Sequence, residues 1–409
     1  MSKWEKKKLG DVAKTFSGGT PSRNNEKYYN GNIPWLKSGE LNDLLTINDT
    51  GEHITKEAIK NSSAKIFPSQ SLFIAMYGAT AGKLGMNTVP MTTNQAIAMI
   101  QPNEKLDKLF LFYQLKILRN DLLGRRYGGA QPNISQTILK NFELSIPPLP
   151  TQKKIAYILS TIQSKIENID KQIESFTDLE KSVMERLFTK GLKGERQKET
   201  EIGLIPESWE IVELGEVYAF TSKPKGKRMK NVIPFIPMNL IPDDSDLYVS
   251  KYETRDKVSS GTYFENGDLL VAKITPSFEN GKQAIVNIDM DCGYATTEVI
   301  PIKSTEKANN KFLYYFLKQR KIRNKLAGKM EGTTGRQRLN KTVLQKQKMP
   351  LPVIMEQIEI SNIFESYDKK ISILKTKKEQ YTDFFNSMLH KLMNQEIEVD
   401  NINFEEINL

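Results

Sequence analysis

Few residues of this chain are of the types that do chemistry. It contains two histidines, His53 and His390, and one cysteine, Cys292. Imidazole titrates near neutrality and, like thiolate, binds zinc, so catalytic and metal sites draw on these side chains. One cysteine and two distant histidines make no zinc site of the usual kind, and no Ser-His-Asp arrangement is suggested. His390 falls near the apolar seam of a long helix and reads as a packing or surface residue. Gly78-Ala79-Thr80-Ala81-Gly82-Lys83-Leu84 has the outline of a phosphate loop. Its first glycine is one residue too close to Gly82-Lys83, and Leu84 stands where a magnesium-binding hydroxyl belongs. Such a turn, with an exposed lysine, still suits close backbone approach to a nucleic-acid phosphate. The sequence holds no Asn/Asp-Pro-Pro-Tyr/Phe motif, no glycine-rich adenosylmethionine loop and no convincing Asp…Glu-x-Lys nuclease cluster. These absences point away from a stand-alone enzyme.

Charge points instead toward binding. The chain has 409 residues and a formal net charge of +10. The excess is concentrated: residues 301–350 carry 14 Lys/Arg against 2 Asp/Glu, whereas Gln395 to Leu409 holds five acids and no base. A concentrated basic segment suits a polyanion, because each neutralised phosphate releases condensed counterions; a solvated, solubilising surface is the alternative. Apolar runs are too short for a membrane span, and the N-terminus lacks the apolar stretch of a signal peptide. A single cysteine excludes an internal disulfide and fits a reducing compartment, so the chain is expected to be cytoplasmic, with no membrane partner.

The elements that position any site follow from an internal duplication. Trp4-x4-Leu9-Gly10-Asp11-Val12 recurs as Trp209-x4-Leu214-Gly215-Glu216-Val217, and Ile33-Pro34-Trp35 as Ile233-Pro234-Phe235. Phe67-x4-Leu72 returns as Phe264-x4-Leu269, Phe110-Leu111-Phe112-Tyr113 as Phe312-Leu313-Tyr314-Tyr315, and Gln152-x2-Ile155 as Gln357-x2-Ile360. The offset drifts between 197 and 205, so loop lengths differ while the framework persists. Each repeat begins with a mixed part of short apolar runs bounded by Gly, Pro and Asn, which read as strands and turns. One amphipathic helix is expected in each, over Asp107–Leu122 and Asn309–Leu326. The part closes on proline, in Ile146-Pro147-Pro148-Leu149-Pro150 and in Met349-Pro350-Leu351-Pro352, where a domain edge belongs.

A long helix follows in each repeat. In the first, Ile155, Leu159, Ile162, Ile166, Ile169, Ile173, Phe176, Val183 and Leu187 alternate by four and three, a heptad seam. In the second, Ile360, Phe364, Tyr367, Ile371, Leu374, Tyr381, Phe385, Met388 and Leu392 hold the same phase 205 residues later. Glu180 and Lys378 are the polar exceptions. A narrow apolar stripe needs a partner, and the nearest is its own duplicate, running antiparallel as a rod of about 60 Å with a globular reader at each end. Two separate oligomerisation stalks are the alternative. The expected fold is α+β, two mixed α/β domains in pseudo-two-fold repeat separated by a pair of long antiparallel coiled-coil helices. The segments are 1–150 (first domain), 151–190 (first helix), 191–208 (linker), 209–352 (second domain), 353–395 (second helix) and 396–409 (acidic tail).

The repeat and its wording resemble the specificity subunits of Type I restriction-modification systems. The carrying segments are Phe67-Pro68-x3-Leu72-Phe73-Ile74-Ala75-Met76-Tyr77-Gly78-Ala79-Thr80-x-Gly82-Lys83, Thr92-Thr93-Asn94-Gln95-Ala96-Ile97 and Gly128-Gly129-Ala130-Gln131-Pro132-Asn133-Ile134-Ser135. The junction Ile146–Ala156 and the linker Glu199–Trp209 add to them, and the resemblance spans essentially the whole chain. It implies a non-catalytic subunit in which each recognition domain reads one half of a bipartite site in double-stranded DNA, with the paired helices as a ruler for the spacer. It further implies two modification subunits that methylate adenine N6 with adenosylmethionine, and restriction subunits that use ATP and Mg for translocation and cleavage. Cofactors are thus expected in partners and none in this chain. The second copy departs from the family's commoner wording, with Lys273-Ile274-Thr275-Pro276 where the first has Met76-Tyr77-Gly78-Ala79, so the two domains are expected to read different sequences.

Base edges are read by Arg, Lys, Asn, Gln and hydroxyl side chains on protruding loops. In the first domain the candidates are Thr20, Arg23, Asn24, Lys37, Tyr77, Lys83, Asn94, Gln95, Arg125, Arg126, Gln131 and Asn133. In the second they are Lys223, Lys225, Lys227, Arg228, Lys273, Lys282, Lys329, Arg336, Gln337 and Arg338. Each could instead be an uninvolved surface residue, and Asn94 and Gln95 could be buried amides stapling strands. Lys223–Lys230, with five bases in eight residues, fits phosphate contact or a solvated loop.

Overall fold

In a computed structural model of the chain, residues 4–124, 133–226, 232–244, 246–333 and 335–399 are described. The chain forms two compact units: one takes the chain up to Asn168 together with the segment from Lys378, the other takes Ile169–Lys377.

The first unit contains, in chain order, β1 (Glu5–Lys8), α1 (Leu9–Val12), β2 (Ala13–Ser17), β3 (Tyr29–Leu36), β4 (Leu44–Ile47), β5 (His53–Ile54), α2 (Lys56–Lys60), β6 (Leu72–Ala75), β7 (Leu84–Asn87), β8 (Thr92–Thr93), β9 (Ile97–Pro102), α3 (Lys108–Ile117), α4 (Arg119–Gly124), α5 (Gln136–Lys140), β10 (Glu143–Ile146) and the start of α6 (Leu149–Lys190). Its main sheet has the order β2-β9-β6-β7-β4, and a smaller one the order β5-β3-β8. β6 is apolar throughout because both faces are covered. Leu72 and Ile74 point into the principal core and Phe73 and Ala75 into a second apolar cluster, as strand alternation requires.

The second unit rebuilds the plan with β11 (Gln197–Thr200), β12 (Gly203–Pro206), β13 (Glu210–Glu213), α7 (Leu214–Val217), β14 (Ala219–Phe220), β15 (Ile233–Ile236), β16 (Tyr248–Val249), β17 (Glu253–Arg255), β18 (Thr262–Glu265), β19 (Leu269–Ala272), β20 (Gln283–Val286), β21 (Cys292–Ala295), β22 (Val299–Lys303), α8 (Asn310–Lys318), α9 (Arg320–Ala327), β23 (Glu331–Thr333), β24 (Arg336–Arg338), α10 (Lys341–Gln345), β25 (Lys348–Leu351) and α11 (Ile354–Met393). Its main sheet, β14-β22-β19-β20-β16, matches that of the first unit strand for strand.

The single amphipathic helix expected in each repeat is two helices. α3 stops at Leu118 and α8 at Gln319, and in each case the chain turns before resuming. The break places a half-buried ion pair. Arg119 reaches Asp43 at 2.5 Å, and its aligned partner Arg323 reaches Asp244 at 2.5 and 2.8 Å.

α6 and α11 pack antiparallel. In the second unit Phe188 stacks on Phe364, with 6.0 Å between ring centres, and the Leu192 N–H donates to Glu356, so the two helices progress in opposite directions. In the first unit Ile155, Leu159 and Ile162 of α6 share a core with Phe385, Leu389 and Leu392 of α11. The seam residues therefore do more than pair helices: each unit's core takes side chains from both. The entry to each long helix is fixed by a buried glutamine. Gln152 accepts from the Asp107 N–H at 2.7 Å and donates to the carbonyls of Lys105 and Pro147. Gln357 repeats all three bonds with Asn309, Lys307 and Pro352. Pro150 sits in the first turn of α6, where its missing N–H costs nothing.

The polar exception Glu180 also has a partner. Lys318 donates to Glu180 and to Asp368, each at 2.7 Å, and Tyr315 donates to Asp368 at 2.7 Å. Burial opposes the Lys318 charge, but the two carboxylates more than offset it and hold the ammonium above its ordinary value. The aligned place in the first unit is different. Lys116 lies 4.8 Å over the ring of Phe385, the residue aligned with Glu180, and burial lowers its pKa. The Tyr113 hydroxyl, aligned with that of Tyr315, is buried without a partner among the described residues.

Candidate nucleic-acid interface

In the first unit the candidate loops are knitted together at the end of β6. The chain turns through Gly78 and Gly82, both at positive φ, and closes with Gly82 N–H to the Ala75 carbonyl. Gly82 is required twice over: a Cβ there would also meet Arg119 at 2.9 Å. Met76 N–H donates to the Ala96 carbonyl and Ile134 N–H to the Met76 carbonyl, which fixes three loops against one another. On this frame Tyr77 donates its hydroxyl to the Gln95 carbonyl at 2.8 Å, Thr20 donates to the Gln95 side chain, and Tyr77 bridges to Asn133. The structure thus brings Thr20, Tyr77, Gln95 and Asn133 together, with Tyr77, Gln95 and Asn133 exposed.

Three other first-unit candidates are occupied. Arg23 pairs with Glu52 at 2.7 Å and lies 4.5 Å over Tyr29 and 4.9 Å over Trp35. Lys37 takes the other Glu52 oxygen at 2.6 Å, and these two cations, Arg23 foremost, hold that carboxyl below its usual range. Lys83 donates to Asn42 at 2.9 Å. Asn94 is half-buried, and its Oδ1 has no partner among the described residues. Asn24 is exposed. Arg125, Arg126 and Gln131 lie outside the described residues.

The second unit carries the same backbone frame with different side chains. Lys273 N–H donates to the Glu298 carbonyl and Leu339 N–H to the Lys273 carbonyl, the counterparts of the Met76 and Ile134 bonds. Arg338 grips Glu298 in a two-pronged pair at 2.8 and 2.9 Å, which holds the Glu298 carboxyl low. Gln337 and Thr275 exchange backbone and hydroxyl bonds. Lys282 is committed to Asp243 and the Ile241 carbonyl at 2.8 and 2.7 Å. Lys223 lies 5.7 Å over Tyr294, and Lys225, Lys329 and Arg336 are exposed. Lys227 and Arg228 lie outside the described residues. Glu298, Asp43 and Asp244 escaped the sequence reading because their basic partners come from distant segments.

His390 is exposed on α11 and His53 pairs with Asp49. Among the described residues no cluster of three or more His, Cys, Asp or Glu could hold a metal ion, and no helix is long and apolar enough to cross a membrane.

The family model of the Type I restriction modification DNA specificity domain matches residues 1–175 and again residues 206–382. The chain belongs to this family. The two matches coincide with the repeat, one per copy. The chain is 27% identical to the Type I restriction enzyme MjaVIII specificity subunit of Methanocaldococcus jannaschii over 98% of this chain and 94% of the relative. It is 28% identical to the EcoR124I/EcoR124II specificity subunit of Escherichia coli over 43% and 47%. Among solved structures, the S subunit of a Type I restriction-modification system from M. genitalium shares its fold, with a TM-score of 0.62, 16% identity and 96% of each chain covered. A structure from work on complex assembly and conformational transition of the type I R-M system also shares it, with a TM-score of 0.52, 16% identity and coverage of 96% and 97%. As a member of the specificity family the chain recognises DNA, and the catalytic activities of such systems sit in partner subunits.

Proposed function

We propose that each unit reads one half of a bipartite DNA site through the loop cluster at the end of its central strand. The observation that carries this is the shared frame with unlike side chains. The Met76–Ile134 and Lys273–Leu339 bonds are the same backbone device. It presents Tyr77, Gln95 and Asn133 in one unit and Lys273 and Gln337 in the other, where Arg338 is held to Glu298. A common scaffold with different donors and acceptors is what reading two different half-sites requires. Modification subunits, two per chain, would supply adenosylmethionine-dependent methylation of adenine N6, and restriction subunits would supply ATP- and Mg-dependent translocation and cleavage. The complex would work in the cytoplasm.

The test is a map of methylated adenines in the source genome before and after deletion of this gene. Loss of methylation at one asymmetric, interrupted motif is the expected result. Loss at an uninterrupted motif, or methyl transfer by the purified chain without modification subunits, would overturn the reading.

A further inference from the structure

The basic excess of the second repeat is concentrated on one short helix and the hairpin after it. Between Arg320 and Arg338 there are seven bases and one acid, Glu331. Two of the bases are spent internally, Arg323 on Asp244 and Arg338 on Glu298. Arg320, Lys321, Lys325, Lys329 and Arg336 are exposed, with no acidic partner among the described residues. On α9 the division is clean. Arg320, Lys321, Asn324 and Lys325 fall within one outward arc, while Leu326 is buried and Ile322 and Ala327 pack against the core. Lys321 and Lys325 are spaced four apart on α9, so like charges stack one turn above another without relief, and Lys329 follows in the turn after the helix. Some other lysines of this unit do have acids, as Lys303 has Glu265 and Lys348 has Glu201. An uncompensated cationic face calls for an external polyanion.

The inner side of the same helix is bolted to the recognition loop. Arg323 clasps Asp244, and Gly281, near the end of the loop that starts at Lys273, is packed so closely that a Cβ would lie 2.3 Å from the Asp244 carboxylate and 2.7 Å from Arg323. Whatever the outer face holds is thereby fixed in register with Lys273.

We propose that Arg320, Lys321 and Lys325 on α9 and Lys329 in the turn after it form a phosphate clamp that grips the DNA backbone beside the Lys273–Lys282 loop. The proposal rests on the DNA reading given above. The test uses the full chain assembled with its modification subunits and two labelled duplexes, one bearing the mapped site and one scrambled. Affinity is measured from about 50 to 300 mM salt for the wild type and for R320Q/K321Q/K325Q/K329Q. At about 0.9 in slope per phosphate released, the variant should lose roughly 3 to 4 from the slope of log affinity against log salt. Affinity for both duplexes should fall together and their ratio stay unchanged. The Tm should equal or exceed that of the wild type, because like charges have been removed. K321R/K325R/K329R should keep the wild-type slope. An unchanged slope, a lowered Tm with no slope change, or lost discrimination at constant slope would overturn the clamp. A wild-type complex that binds with no steep salt dependence would remove the DNA reading itself.

Discussion

Replacing Gln357 tests whether the buried amide, rather than proline or heptad pattern alone, anchors α11. The Gln357 side chain is fully buried and makes three bonds, accepting from the Asn309 N–H at 2.9 Å and donating to the Lys307 and Pro352 carbonyls at 2.8 Å each. At about 1 kcal/mol net per bond, Gln357→Leu should cost about 3 kcal/mol. Gln357→Glu should cost more at neutral pH, because it keeps the acceptor for Asn309 but turns a carboxylate toward two carbonyl oxygens. Acidification should recover part of that loss, since a protonated carboxyl can donate one bond. The assay is denaturant unfolding followed by the fluorescence of Trp209, which is buried in the same unit. The order Gln, then Leu, then Glu is expected at pH 7. Equal stability of all three proteins, or a Glu variant more stable than the Leu variant, would refute the reasoning.

Lys318→Met should cost about 3–5 kcal/mol by leaving the buried Glu180 and the half-buried Asp368 without their cation, whereas Lys116→Met should be near neutral, because burial already works against that charge; paired melts of the two variants decide. Asp268 is buried and its pKa is pushed up to about 6 by burial. Its ionisation therefore penalises the fold at neutral pH, and the penalty is relieved as pH falls through about 6 toward the unfolded value near 4. Asp268→Asn should add on the order of 3 kcal/mol above pH 6, from about two units at 1.36 kcal/mol each, and should flatten the stability profile between pH 4 and 6. Asn133→Ala should relax one base pair of one half-site by about 1–3 kcal/mol and leave the other half-site unchanged, as competition binding with single-base variants would show.

Much of the architecture was legible because it is written twice. The two seams hold the same phase at an offset of 205 residues, and Gln152-x2-Ile155 recurs intact because its glutamine closes the same three bonds in both units. The break after α3 and α8 was not legible. Periodicity runs straight through Leu118 and Gln319, and the chain turns there for a guanidinium whose carboxylate partner, Asp43 or Asp244, lies far back in sequence. The same distance hid the commitments of Lys282 to Asp243 and of Arg338 to Glu298. Composition marks a base as available; only the fold reveals which bases are already spoken for. The clustering of Thr20, Tyr77, Gln95 and Asn133 was foreshadowed by residue type, yet their convergence depends on backbone bonds from Met76 that no motif spells out.

The unlike surroundings of Lys116 and Lys318 bear on how such a duplicated chain can be rearranged. A crossover that carried residues 309–326 into the first copy would set a lysine suited to two carboxylates against the phenyl ring of Phe385. The reverse exchange would set Lys116 beside Glu180 and Asp368 and give the tyrosine beside it the acceptor it now lacks. The two transplants are therefore unequal, and the copies, though their main sheets match strand for strand, are not interchangeable parts.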